Sequence, residues 1–132
     1  MAKKILVVDD LEQNRLLLRD VLEYFGYEVV EAGNGEEGVK MAREHLPDLI
    51  LMDMSMPVMD GYAALHILRS DPLTRAIRVA AITSFAPEDA TRDVFAAGAD
   101  EYIPKPIEIK KLPGLVEKML GSNAVPAEGL PK

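Results

Sequence analysis

Three aspartates stand where short apolar runs end. Asp9 and Asp10 follow Ile5-Leu6-Val7-Val8, and Asp53 follows Leu49-Ile50-Leu51-Met52. One Asp after a strand is readily a turn or helix cap. Three brought to one place are different, because carboxylates that close do not all stay ionised without a compensating positive charge. A hard divalent cation supplies it, and a set of oxygen ligands selects Mg²⁺ over Zn²⁺. Two further residues end apolar runs: Thr83 after Val79-Ala80-Ala81-Ile82, and Lys105 just beyond Tyr102-Ile103. An aspartate attacking a phosphoryl group needs a metal on the equatorial oxygens and donors for the rest. Lys105 offers a full charge and Thr83 a hydroxyl. Separately, a solvated Lys and a strand-end Thr are ordinary. Only convergence makes them chemical.

Convergence depends on the elements between them. Ile5–Val8 is a continuous β-branched and Leu run, as in a strand covered on both faces. Apolar residues at Leu11, Leu17, Leu18, Val21, Leu22 and Phe25 have helical spacing, and Gly26 stands where a helix stop belongs. A strand is predicted over Tyr27–Glu31. Asn34 can cap a helix over Glu36–His45, which Pro47 prevents from continuing. Asp48–Asp53 is a buried strand, and Asp60 or Gly61 opens a helix to about Arg69. Arg78–Thr83 is a fourth strand. Pro87 suits the first turn of a helix ending near Ala97, with Gly98 as its stop. Asp100–Ile103 is a fifth strand, followed by an amphipathic segment to Leu120.

Strand and helix alternate five times without a run of hairpins, which calls for a parallel sheet with helices on both faces. Ligands of such α/β sheets bind beyond the carboxyl ends of strands, where the winding reverses. With strand order 2-1-3-4-5 the first and third strands are neighbours and the three acids meet.

Length and composition set the outer bounds. At 132 residues the chain holds one ordinary domain. With 5% aromatic residues and no Trp, its core must be built from Ile, Leu, Val, Ala and Met. A net charge of −7 without a basic run argues against direct nucleic acid binding and against anionic membrane surfaces. No cysteine is present, which excludes thiolate metal sites and Cys nucleophiles. No apolar stretch reaches signal-peptide or membrane-spanning length, so a cytoplasmic protein is expected. The small, Pro/Gly-rich segment 121–132 reads as a disordered tail after a domain over residues 1–120.

Four blocks then carry a resemblance. Val7-Val8-Asp9-Asp10, Leu51-Met52-Asp53-Met54-Ser55-Met56-Pro57-Val58-Met59-Asp60-Gly61, Ile82-Thr83-Ser84 and Tyr102-Ile103-Pro104-Lys105-Pro106 resemble the signature blocks of two-component response-regulator receiver domains, in order and spacing. The resemblance covers about residues 3–120 and implies a flavodoxin-like doubly wound (βα)5 fold. It implies that Asp53 is the phosphoacceptor. Asp10, Asp53 and the Ser55 backbone carbonyl would hold Mg²⁺, with Asp9 acting through water. Lys105 would contact phosphate, and Thr83 and Tyr102 would form the switch pair. Ser55 and Phe85 would flank the phosphoryl group and tune its loss. The Lys105–Pro106 bond is expected to be cis.

The implied partners are a sensor histidine kinase or histidine phosphotransfer protein and a downstream protein effector, with a phosphorylation-dependent dimer among the assemblies allowed. The implied role is a switch, not a turnover enzyme. Pro113-Gly114 departs from the family pattern: either the last helix starts late, with Pro113 in its first turn, or it is kinked. A haloacid-dehalogenase-like phosphohydrolase would want an acid two residues beyond the nucleophile, where Ser55 stands. A flavodoxin-like cofactor binder would want a Gly- or Ser/Thr-rich cradle after the first strand, which is missing. A receiver that binds partners without phosphorylation would not need the full set of acids, Thr and Lys.

Overall fold

The computed structural model describes residues 3–54, 60–83 and 88–120, with the backbone alone for 88–91. Five strands, β1 (Lys4–Val8), β2 (Glu28–Ala32), β3 (Leu49–Asp53), β4 (Arg78–Thr83) and β5 (Glu101–Pro104), form one parallel sheet in the order β2-β1-β3-β4-β5. Five helices connect and complete it: α1 (Glu12–Tyr24), α2 (Gly35–His45), α3 (Gly61–Ser70), α4 (Glu88–Ala96) and α5 (Leu112–Leu120). This is the (βα)5 doubly wound arrangement expected from the sequence, and element bounds agree to within about two residues of those read above, except at α5. The tail expected over 121–132 lies outside the described residues.

The three central strands are apolar between their end residues because both of their faces are covered. Successive strand residues point to opposite faces. Ile5, Val7, Leu49, Leu51, Ala80, Ile82 and Ile103 therefore pack with Leu18 and Leu22 of α1 and Leu112, Val116 and Met119 of α5. Leu6, Val8, Ile50, Met52, Val79 and Ala81 take the other phase. They pack with Val39 and Ala42 of α2, Ala64, Leu65 and Leu68 of α3, and Val94 of α4.

Local chemistry sets the helix bounds. The Asn34 side chain accepts from the Glu37 backbone N–H at 2.8 Å, and the Glu37 carboxylate accepts in return from the Gly33 N–H. Asp60 caps α3 through Ala63 N–H at 2.9 Å. Gly26 and Gly98, at φ 95° and 116°, end the turns after α1 and α4 in the left-handed region open to glycine. Of the two readings left open at Pro113, the late start holds: α5 begins at Leu112, so Pro113 sits in the first turn, where its missing N–H costs nothing.

Candidate phosphoryl-transfer site

The sheet order puts the ends of β1 and β3 side by side, with Val8 opposite Met52. Asp9 leaves β1 in the phase of Ile5 and Val7, and Asp53 ends β3 in the phase of Leu49 and Leu51. Both carboxylates are thereby aimed to the α1/α5 side of the rim. Oxygens of Asp9, Asp10 and Asp53 lie within 4.8 Å of one another. Asp9 and Asp53 are only 2% and 1% exposed, while Asp10 faces solvent.

Lys105 enters from the β5 end and puts its Nζ 3.1 Å from Asp53 Oδ2. Backbone pairing delivers it, since the Lys105 N–H donates to the Thr83 carbonyl at 2.8 Å. The Lys105–Pro106 peptide bond is cis, as the resemblance implied.

Asp9 is the most constrained of the acids. Its Oδ1 accepts from the Leu11 N–H at 2.9 Å and its Oδ2 from Asn14 Nδ2 at 3.4 Å. Burial pushes its carboxyl above the ordinary range, against the Leu11 hydrogen bond, and the Asp53 charge pushes the same way while Lys105 opposes it. One ammonium against three crowded carboxylates leaves the rim short of positive charge. An all-oxygen donor set with that deficit fits a hard divalent cation such as Mg²⁺. Asp10, which faces solvent, and Asp53 could offer oxygens to such an ion, while both oxygens of Asp9 already accept hydrogen bonds within the chain.

A cleft of about 440 Å³ opens beside this cluster, with Asp9 and Asn14 on one wall and Lys105 and Ile107 on the other. The site is thus reached along the flank of α1.

Thr83 ends β4 half-buried, in the phase of Val79 and Ala81 and so towards the α4 side. Tyr102 pairs with Ala81 across β4 and β5 and packs half-buried against the same core layer. The structure therefore brings Asp9, Asp10, Asp53 and Lys105 together, and sets Thr83 and Tyr102 on a common face next to them. Ser55 and Phe85 lie outside the described residues.

Sequence reasoning missed two supporting residues. Gly61 donates its N–H to the Met54 carbonyl at 3.3 Å, and a Cβ there would meet Met54 Cα at 2.6 Å and the Asp53 carbonyl oxygen at 2.8 Å. The Asp60-Gly61 pair looked like a helix start; its second role, letting α3 approach the acceptor's own backbone, depends on a contact no local pattern encodes. The other is Arg15, whose guanidinium Nη1 donates to the Asp9 carbonyl at 2.7 Å.

An open parallel sheet of order 2-1-3-4-5 carrying three acids and a lysine at its β1/β3 rim defines the receiver class of signalling domain. The chain belongs to the response regulator receiver domain family, whose description matches residues 5–117. It is 38% identical over 121 residues to the polar-differentiation response regulator DivK of Brucella anthropi, covering 92% of this chain and 98% of that one. Among solved structures it resembles the chemotaxis protein CheY4 of Vibrio cholerae, with a TM-score of 0.86 and 27% identity over 91% of this chain and all of that one (100%). It also resembles the receiver domain of a sensor histidine kinase from Pseudomonas aeruginosa. That match has a TM-score of 0.84 and 29% identity over 92% of this chain and 99% of that one, and its structure has a magnesium ion coordinated in the active-site cleft. The chain is accordingly a receiver domain of two-component signalling. Among the described residues no helix is long and apolar enough to cross a membrane.

Proposed function

We propose that Asp53 is the phosphoacceptor of a phosphorylation-dependent switch, and that residues 1–120 carry the whole of that function. The observation that supports this most is the ion pair between Lys105 and a nearly inaccessible Asp53, set within reach of two further acids. An Asp53 oxygen attacks the phosphorus of a phosphohistidine on a sensor kinase or histidine phosphotransfer protein. The N–P bond breaks, the imidazole nitrogen leaves with its electron pair, and Asp53 becomes an acyl phosphate.

Asp10, Asp53 and the Ser55 carbonyl would hold Mg²⁺, with Asp9 acting through water, in keeping with its two occupied oxygens. When bound, the ion supplies positive charge for the acids and the transferring phosphoryl oxygens. Lys105 orients the Asp53 carboxylate beforehand and then holds a phosphoryl oxygen. By the family resemblance, Ser55 and Phe85 would be the residues that tune its hydrolysis.

Thr83 then donates its hydroxyl to the phosphoryl group, and Tyr102 moves further into the layer it already touches. The altered β4–β5 and α4 face is read by a downstream protein effector or by a second copy of the chain. A ligand shifts such an equilibrium only by its different affinity for the two states. The domain turns over no external substrate and acts in the cytoplasm. Incubation with acetyl phosphate and Mg²⁺ tests the reading: the wild-type chain gains one phosphoryl group, and labelling without Mg²⁺ at the same rate would contradict it.

A further inference from the structure

We propose that Arg15 is a positioning residue for the metal-binding acids, fixing the β1–α1 corner so that Asp10 faces Asp53 before a cation binds. The inference rests on the reading of the acids as a Mg²⁺ site. Asp10 is exposed, and among the described residues its carboxylate makes no hydrogen bond or ion pair, so apart from its own rotamers only its backbone sets where it points. That backbone begins with the Asp9–Asp10 peptide, a rigid plane. Arg15 Nη1 donates to the carbonyl of this peptide at 2.7 Å. On the other side of Asp9, its N–H donates to the Ala32 carbonyl at the end of β2, at 3.1 Å. Holding the carbonyl fixes where the Asp10 amide and Cα must lie.

Arg15 is itself held. Its Nε donates to Glu31 on β2 at 3.1 Å, with both side chains about four-fifths buried at 19% and 20% exposure. Glu31 also accepts from Arg19 Nη1 at 2.7 Å, and Arg19 Nε reaches Glu23 at 3.1 Å. A guanidinium fork takes a carboxylate with one nitrogen and a carbonyl with another, which a lysine ammonium on a flexible stem does poorly. Neighbours that orient metal ligands commonly govern affinity without touching the ion.

The test is an NMR titration of ¹⁵N-labelled protein with MgCl₂, following the Asp9, Asp10 and Asp53 amides. Arg15→Ala should raise the Mg²⁺ Kd about tenfold. Arg15→Lys should fall between it and wild type, and it decides the matter if the alanine variant does not fold. Arg19→Ala leaves both Arg15 bonds in place and should stay within about twofold of wild type. In acetyl phosphate labelling, Arg15→Ala should need more Mg²⁺ for half-maximal rate yet reach the wild-type plateau. An unchanged Kd in folded Arg15 variants, equal weakening by Arg19→Ala, or a plateau that stays low at saturating Mg²⁺ would each overturn the proposal. If wild type itself shows no Mg²⁺ response at these amides, the metal-site reading fails first.

Discussion

The Lys105 ammonium lies 3.1 Å from an Asp53 carboxylate that is only 1% exposed. Lys105→Met keeps the length of the stem and removes the cation from three converging acids. Metal-free protein should lose about 1–3 kcal/mol in urea denaturation with a chelator present. Phosphoryl transfer from acetyl phosphate should slow about a hundredfold, as when one electrostatic stabiliser is removed from an active site. Unchanged stability together with an unchanged rate would detach Lys105 from the chemistry.

Asp9 makes metal-free stability depend on pH in an unusual direction for a carboxylate. Burial, then Asp53, hold its folded pKa above the unfolded value. The folded state thus keeps this proton more tightly, so the Asp9 contribution to stability declines as pH rises from about 4 through the folded pKa, then levels off. Asp71 runs the other way. The Leu73 N–H, followed by Arg43, lowers its pKa, so its contribution is lost as pH falls through the folded value. Comparing wild type with Asp9→Asn cancels Asp71 and isolates Asp9. In chelator, Asp9→Asn should be the more stable protein at pH 7, with the two curves converging in acid. A constant difference across the range would contradict this.

Two glycines should respond oppositely to alanine. At Gly61 the new Cβ meets backbone atoms of Met54 and Asp53 that cannot step aside. Gly61→Ala should cost about 1–3 kcal/mol and slow labelling of Asp53, because relief comes only by shifting the acceptor strand. At Gly114, in the exposed first turn of α5, nothing lies within 4 Å of the added carbon. Gly114→Ala should stabilise by about 0.4–1 kcal/mol through the unfolded chain's lost freedom. Thermal melts of both variants check the pair of signs.

The contrast between these glycines shows what was legible in the sequence. Strand phase and the parallel alternation follow from apolar runs, which are local signals, and once the order 2-1-3-4-5 is granted Asp9, Asp10, Asp53 and Lys105 come to one rim with Thr83 beside them. The Asn34 cap and the Gly26 and Gly98 stops were equally local. Pro113 permitted two helices, and the choice fell to Leu112 and Val116 packing under the sheet, a tertiary preference. Gly61 against Met54 and Arg15 on the Asp9 carbonyl were invisible for the same reason. Each depends on where a side chain ends up after the chain has folded.

The switch pair can be tested without a partner. Thr83 and Tyr102 lie on one face of neighbouring strands, so a phosphoryl mimic on Asp53 should change the surroundings of the Tyr102 ring. Beryllofluoride should shift the Tyr102 resonance of ¹⁹F-tyrosine-labelled protein, assigned among the four tyrosines with Tyr102→Phe. In Thr83→Ala the mimic should still bind, seen at the Asp53 amide, while the Tyr102 shift is lost. A full shift in Thr83→Ala would send the signal out by another face.

The proposed switch depends on which oxygen takes the phosphoryl group. The direct measurement is borohydride reduction of chain phosphorylated with acetyl phosphate, followed by peptide mass spectrometry. An aspartyl phosphate is reduced to homoserine, so the modified residue is marked in place. Homoserine at position 53, hydroxylamine-labile label, and loss of both in Asp53→Asn are the predicted result. Reduction at Asp9 or Asp10, a phosphoester on Ser55, or undiminished label in Asp53→Asn would contradict it.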